Sequence, residues 1–135
     1  MKVTKTRFIL TALAYIIPTM LIGYAWHLIL FKELYDSLGI YNRPEPIIPL
    51  GFFSMIIQGV ILAYLYPFFA KDKASIGTAI KFCLILGFFI FSVSTLANGA
   101  KILVNSMQTW LCIQIAFTLL QFVSAGILIG LVNRK

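Results

Sequence analysis

Four acidic residues, one histidine and two cysteines are few for 135 residues, and each scarcity removes a class of chemistry. The acids are Glu33, Asp36, Glu45 and Asp72, so no carboxylate lies within a long apolar run and proton-coupled export has no intramembrane acid to use. With His27 alone, paired-His metal sites and a Ser-His elbow have nothing to build on, and no HExxH, Cys-x-x-Cys or Gly-x-Ser-x-Gly pattern occurs. Neither a metal nor a cofactor is therefore expected. Cys83 and Cys112 are predicted to begin two successive spans at opposite membrane surfaces, far beyond the roughly 4.4 to 6.8 Å between Cα atoms that a disulfide needs. A nucleophile, a base and an orienting group cannot be placed together, and no catalytic residue is assigned.

What the chain has in excess is hydrocarbon. Apolar residues make up 61% and charged ones only 11%, against roughly 45 to 50% and 25% in soluble domains. Mean hydropathy is +0.97. A water-soluble globule of this size could not hide so much apolar surface, and disorder requires the opposite composition.

Charges divide the chain into four apolar stretches, 8–31, 47–70, 82–100 and 110–132. Each is long enough to cross a hydrocarbon core of about 30 Å at 1.5 Å per helical residue. The expected fold is an all-α, single-domain, four-helix membrane bundle, up-down-up-down, with a loop over 32–46. The first stretch follows a basic start but is too long for a signal core of about 7 to 15 residues, and reads as an uncleaved helix.

Eight of the eleven basic residues fall on one side of this arrangement, leaving Lys32, Arg43 and Lys101 on the other. The positive-inside rule then places both termini in the cytoplasm, with the inner membrane as the location. The basic residues lie on tails and a short turn, without a folded domain to present them to a nucleic acid. Attraction to anionic lipid accounts for them better. Trp26, Tyr35, Tyr41 and Trp110 are expected at the outer interface, and Phe8, Tyr64, Tyr66 and Phe82 at the inner one.

Polar groups inside the spans need partners or a task. The second span carries Ser54 and Gln58 on one face, beside Gly51. The fourth carries Gln114, Thr118 and Gln121 at i, i+4 and i+7, with Ala125 continuing a stripe that must face protein or water. Gln58 and Gln121 fall at similar depth with similar residues after them. They are either lining for a small neutral or amphiphilic molecule, as between two parallel repeats, or interhelical glue. Gly126 and Gly130 form a small-xxx-small pair about 120 to 140° around the axis. That pair serves either packing within the bundle or docking of a partner or second copy.

Pro18 interrupts the first span, with Tyr15 and Thr19 placed to satisfy the carbonyls it frees. His27, near the outer end, is a candidate for ligand or proton handling, or an interfacial His that reaches water. Glu33, Asp36, Arg43 and Glu45, with Pro44, Pro46 and Pro49, make the outer loop either a stiff lid or a solvated connection.

The run Gly23-Tyr24-Ala25-Trp26, then Leu30-Phe31, Tyr35, Leu38-Gly39 and Pro49-Leu50-Gly51-Phe52, resembles small four-helix bacterial membrane proteins of a family of unknown function. The resemblance covers about the first 70 residues; it implies the fold and location and carries no site with it. Small multidrug antiporters are similar in size but need an acid in the first helix, and fluoride channels carry a Gly- and Arg-rich signature missing here. Function is expected to be that of an accessory or structural membrane component packing through its fourth helix, with binding or transport as the alternative.

Overall fold

The structure is a computed structural model that describes residues 4–41 and 43–134. It is helical throughout, with no strand among the described residues, and four of its helices are long and apolar enough to cross a membrane. Helix α1 spans Lys5–Ala25 and continues as a π-helical turn, Trp26–Leu30. A short α2, Lys32–Leu38, follows. The second span is α3, Ile48–Ala70; the third is α4, Ile76–Phe91, again prolonged by a π-helical segment, Ser92–Ala97. The fourth is α5, Met107–Asn133. Four spans put both termini on one side, called here the terminal side; α2 lies on the other, the loop side.

Local chemistry sets these boundaries. Thr4, Ser75 and Ser106 cap α1, α4 and α5 by accepting the N–H of the third residue on, at 3.2, 3.1 and 3.4 Å. Charge used as a delimiter misplaces three starts: α1 begins at Lys5 rather than 8, α4 at Ile76 rather than 82, and α5 at Met107 rather than 110. Lys81 therefore sits inside α4, where its long stem lets the ammonium reach the headgroup layer. Cys83 lies two turns into α4 and is buried; Cys112 is exposed, and both are free thiols.

The 32–46 segment is not loop throughout. Lys32 and Asp36 pair at i, i+4 across 2.6 Å, and Gly39, at φ 73°, ends α2 in the left-handed conformation that glycine adopts without strain. Tyr35 and Leu38 turn inward and form a small core with Trp110, while Asn105 bonds the carbonyls of Ser37 and Leu38 at 2.8 and 3.1 Å. The segment is thus a cap strapped to the loop-side end. Tyr35 and Trp110 are buried within this loop-side cap, and Phe82 is packed between Tyr66 and Phe69.

Packing order in space is α3, α1, α5, α4, with α1 and α5 in the middle. Glycines set the closest approaches. A methyl at Gly126 would lie 2.6 Å from the Ile80 Cα, and one at Gly130 2.5 Å from the Ile76 Cα. The small-xxx-small face of α5 is therefore taken up by α4, and docking of a partner or second copy through it is corrected to packing within the bundle. Gly59 admits Ile16 of α1 in the same way, and Gly87 admits Phe122.

Helices α3 and α4 meet chiefly at the terminal end, where the Phe82 ring lies 5.4 Å from Tyr66 and 5.3 Å from Phe69. A parallel repeat would pack α3 on α4 as α1 packs on α5. It does not, and the repeat reading is corrected.

Candidate functional site

The sequence-predicted polar residues gather at two stations along the bundle, each organised by a tyrosine hydroxyl. At mid-depth the organiser is Tyr15 of α1, fully buried. Its hydroxyl donates to the Gln58 Oε1 of α3 at 2.5 Å and accepts from the Gln121 Nε2 of α5 at 3.1 Å. The same Gln121 nitrogen reaches the Thr19 Oγ1 at 3.5 Å. One phenol thus joins three helices, and the two glutamines meet through it rather than directly. Tyr15 and Thr19 are spent on this network, not on the carbonyls that Pro18 frees.

Toward the terminal side the pattern continues. Asn133 Nδ2 donates to the Thr11 Oγ1 and to its own helix at Ile129 O, both at 2.9 Å, and Thr11 donates back to Arg7 O at 2.8 Å. Asn133 is fully buried. This tie closes the terminal end of the α1–α5 pair and was missed from sequence, because its position beside Arg134 reads as a tail.

The second station lies under α2. Tyr35 donates to the Gln114 Oε1 of α5 at 2.6 Å and accepts from the Trp26 Nε1 at 3.2 Å. Burial raises the Tyr35 pKa above its usual value, partly offset by the Trp26 hydrogen bond, so the group stays a phenol near neutrality. His27 belongs to this station through its ring alone, 4.8 Å from Tyr35 and edge-on to Phe117 at 4.5 Å. Its Nδ1 lies 3.0 Å from Gly23 O. Because a carbonyl only accepts, that nitrogen carries a proton. The π-helical turn Trp26–Leu30 places Trp26 and His27 here, a local widening that often accompanies a functional position.

Other expected site residues stay apart. Thr118 is half-buried between the stations and joins neither. Glu33, Arg43 and Glu45 are exposed, and Asp36 is engaged with Lys32 on the surface. The outer carboxylates are not folded onto His27, and no group of three His, Cys, Asp or Glu that could hold a metal occurs among the described residues. Ser54 bonds its own helix at Gly51 O. Tyr66 Oη and Trp110 Nε1 are buried without a hydrogen-bond partner among the described residues.

Two shallow surface grooves both stay clear of the stations. One runs along α4 from Gly77 to Phe88 and the other is formed by Thr4, Lys5, Phe8 and Ile9. Chemically the stations offer neutral donors and acceptors that are largely used by one another.

A third feature was not anticipated. Every described residue from Arg43 to Ser54 is exposed, so the first two turns of α3 stand away from the bundle. Gly51, Gln58, Leu62 and Phe69 share one stripe of α3. That stripe meets α4 at Phe69 but has nothing within 4 Å of a methyl at Gly51. On α4, the stripe through Phe82 continues to Phe89 and Val93, which are 65% and 56% exposed. The two helices touch at Phe69 and Phe82 and are uncovered along these stripes toward the loop side, which leaves a lateral gap between them there.

No family model matches the chain, and neither a curated protein nor a solved structure matches it.

Proposed function

We propose that this chain is an accessory or structural membrane protein that receives a transmembrane helix of a partner protein in the gap between α3 and α4. The reading rests on one observation: Gly51, Ser54 and Gln58 lie along the uncovered side of α3. Small residues let a second backbone approach closely, and an amide in hydrocarbon is costly until it finds a partner. Gln58 uses its oxygen on Tyr15, while its two N–H donors make no bond among the described residues. Docking is thereby moved from the fourth span, whose glycine face α4 fills, to the second.

A second reading has its own support. A small neutral or amphiphilic molecule entering sideways from the lipid would meet the same Gln58 donors, with Phe89 and Val93 as the opposite wall. Passage through the bundle axis is not favoured, because the Tyr15 and Tyr35 stations fill it with mutually bonded side chains. The excess of Lys and Arg on the terminal side supports a cytoplasmic placement of both termini. No catalytic role is assigned.

Photocrosslinking in native membranes tests the reading. A crosslinker at Ser54 is expected to give one discrete protein adduct, lost in Gly51→Leu although that variant melts like wild type. The same probe at Ile115 on the outer face of α5 is expected to give lipid adducts only. Lipid adducts at both positions would reject a protein partner and leave the amphiphile; an adduct of twice the chain mass would make the partner a second copy.

A further inference from the structure

The groove on α4 lies on a different face from the gap and has a different character. Gly77, Ile80, Lys81, Leu84, Ile85 and Phe88 line about 500 Å³. All belong to α4, so it is a furrow along a single helix. Its head is open, since a methyl at Gly77 would find only Ser75 Oγ, 4.0 Å away. Its walls are exposed hydrocarbon, with Phe88 71% and Ile85 51% accessible. The eleven steps from Gly77 to Phe88, at 1.5 Å each, make it about 16 Å long, about half of a 30 Å hydrocarbon core and so the depth of one leaflet.

One charge stands in this furrow, the Lys81 ammonium near the terminal-side end. No carboxylate follows Asp72 in the sequence, so α4 and α5 offer Lys81 no partner of opposite charge. The imbalance extends across that side of the molecule. Among the described residues there, Lys5, Arg7, Lys71, Lys73, Lys81 and Arg134 face one acid, Asp72. A cation held at the headgroup level above a leaflet-deep apolar furrow is complementary to a molecule with an anionic head and a hydrocarbon tail.

We propose that the furrow from Gly77 to Phe88 binds an anionic glycerophospholipid of the leaflet on the terminal side, its phosphate paired with Lys81 and one acyl chain lying along Ile80, Leu84, Ile85 and Phe88. The assignment is independent of what occupies the gap between α3 and α4.

Native mass spectrometry of the protein released from nanodiscs of equal phosphatidylcholine and phosphatidylglycerol tests it. Wild type is expected to retain phosphatidylglycerol in preference to phosphatidylcholine. Lys81→Gln should lower that preference about fivefold, the effect of one basic residue near an anionic surface. Leu84→Trp, which fills the furrow, should lower retention of both lipids. Lys101→Gln, on the loop side, should leave the ratio unchanged. Melting in phosphatidylcholine alone checks the fold of each variant, and Lys81→Gln and Leu84→Trp test the proposal independently. No anionic preference in wild type, an unchanged ratio in Lys81→Gln, undiminished retention in Leu84→Trp, or an equal loss in Lys101→Gln would each overturn it. So would inorganic phosphate retained by protein in pure phosphatidylcholine, which would make the ligand a free anion.

Discussion

The two halves of this bundle are built on different principles. On the terminal side all four spans converge on one core in which Tyr15, Leu62, Tyr66, Phe82, Phe122 and Ile129 are buried together, and glycines bring α5 against α4 and α3 against α1. On the loop side α3 leaves the others, and order comes from the short α2 resting on Trp110 through Tyr35 and Leu38. Lipid tails are as apolar as leucine, so burial alone drives little association within a bilayer. Helices stay together where small residues admit close contact and polar groups bond across. Both conditions are met around Tyr15, Gln121, Gly126 and Gly130, whereas residues 48–54 at the outer end of α3 are all exposed.

The largest expected effect sharpens this contrast directly. Gly126→Val with Gly130→Val drives side chains into the backbone of α4 at Ile80 and Ile76. Overpacking of this kind costs roughly 1 to 3 kcal/mol per site, and the melting temperature in detergent should fall steeply. Gly51→Val, facing open space, should change it little. Equal losses would erase the distinction between the halves.

Next in size is the loss of a tyrosine hydroxyl. Tyr15→Phe strands the Gln58 oxygen and one Gln121 donor and should cost about 1 to 2 kcal/mol of global stability. Tyr35→Phe removes a similar pair of bonds to Trp26 and Gln114, yet the loss should be local: faster amide exchange over 32–38 with the spans unchanged. Burial disfavours the Tyr35 phenolate, so its folded pKa lies above its unfolded one. Stability from this group is full below about pH 10 and declines as pH rises from there toward the folded pKa. Docking of α2 should loosen in that alkaline window, and Tyr35→Phe should weaken the dependence, leaving the part due to Tyr41, whose pKa burial also raises and which stacks on Tyr35 at 5.5 Å.

Gly39→Ala comes third. The residue sits at φ 73°, and a methyl there would come within 3.1 Å of the Asn105 Nδ2. About 1 kcal/mol is expected, again read as exchange within α2. Lys32→Ala is the smallest, at most a few tenths of a kcal/mol, because the pair with Asp36 is exposed on both sides.

The four spans were legible because hydrocarbon length and charge placement decide them. Gln58, Gln114 and Gln121 were legible as a polar set because an amide well inside an apolar span has to hydrogen-bond across to another helix. Their shared partners were not, since Tyr15 and Tyr35 read equally well as a helper for Pro18 and an interfacial ring. Helix α2 was hidden by its neighbours: the charges and prolines of 32–46 describe a loop, and only the i, i+4 pair with Gly39 after it points to a helix. The divergence of α3 has no sequence signal, because a lipid-facing and a partner-facing apolar helix have the same composition.

The account's central claim is that the mid-depth glutamines hold helices together through Tyr15 instead of lining a passage. A double-mutant cycle of Tyr15→Phe and Gln121→Leu, read as unfolding free energy in detergent, tests it most directly. Groups that share a bond should be non-additive, the double variant losing about 0.5 to 1.5 kcal/mol less than the sum of the singles. Additivity within about 0.3 kcal/mol would mean the two side chains act separately, and would contradict the claim.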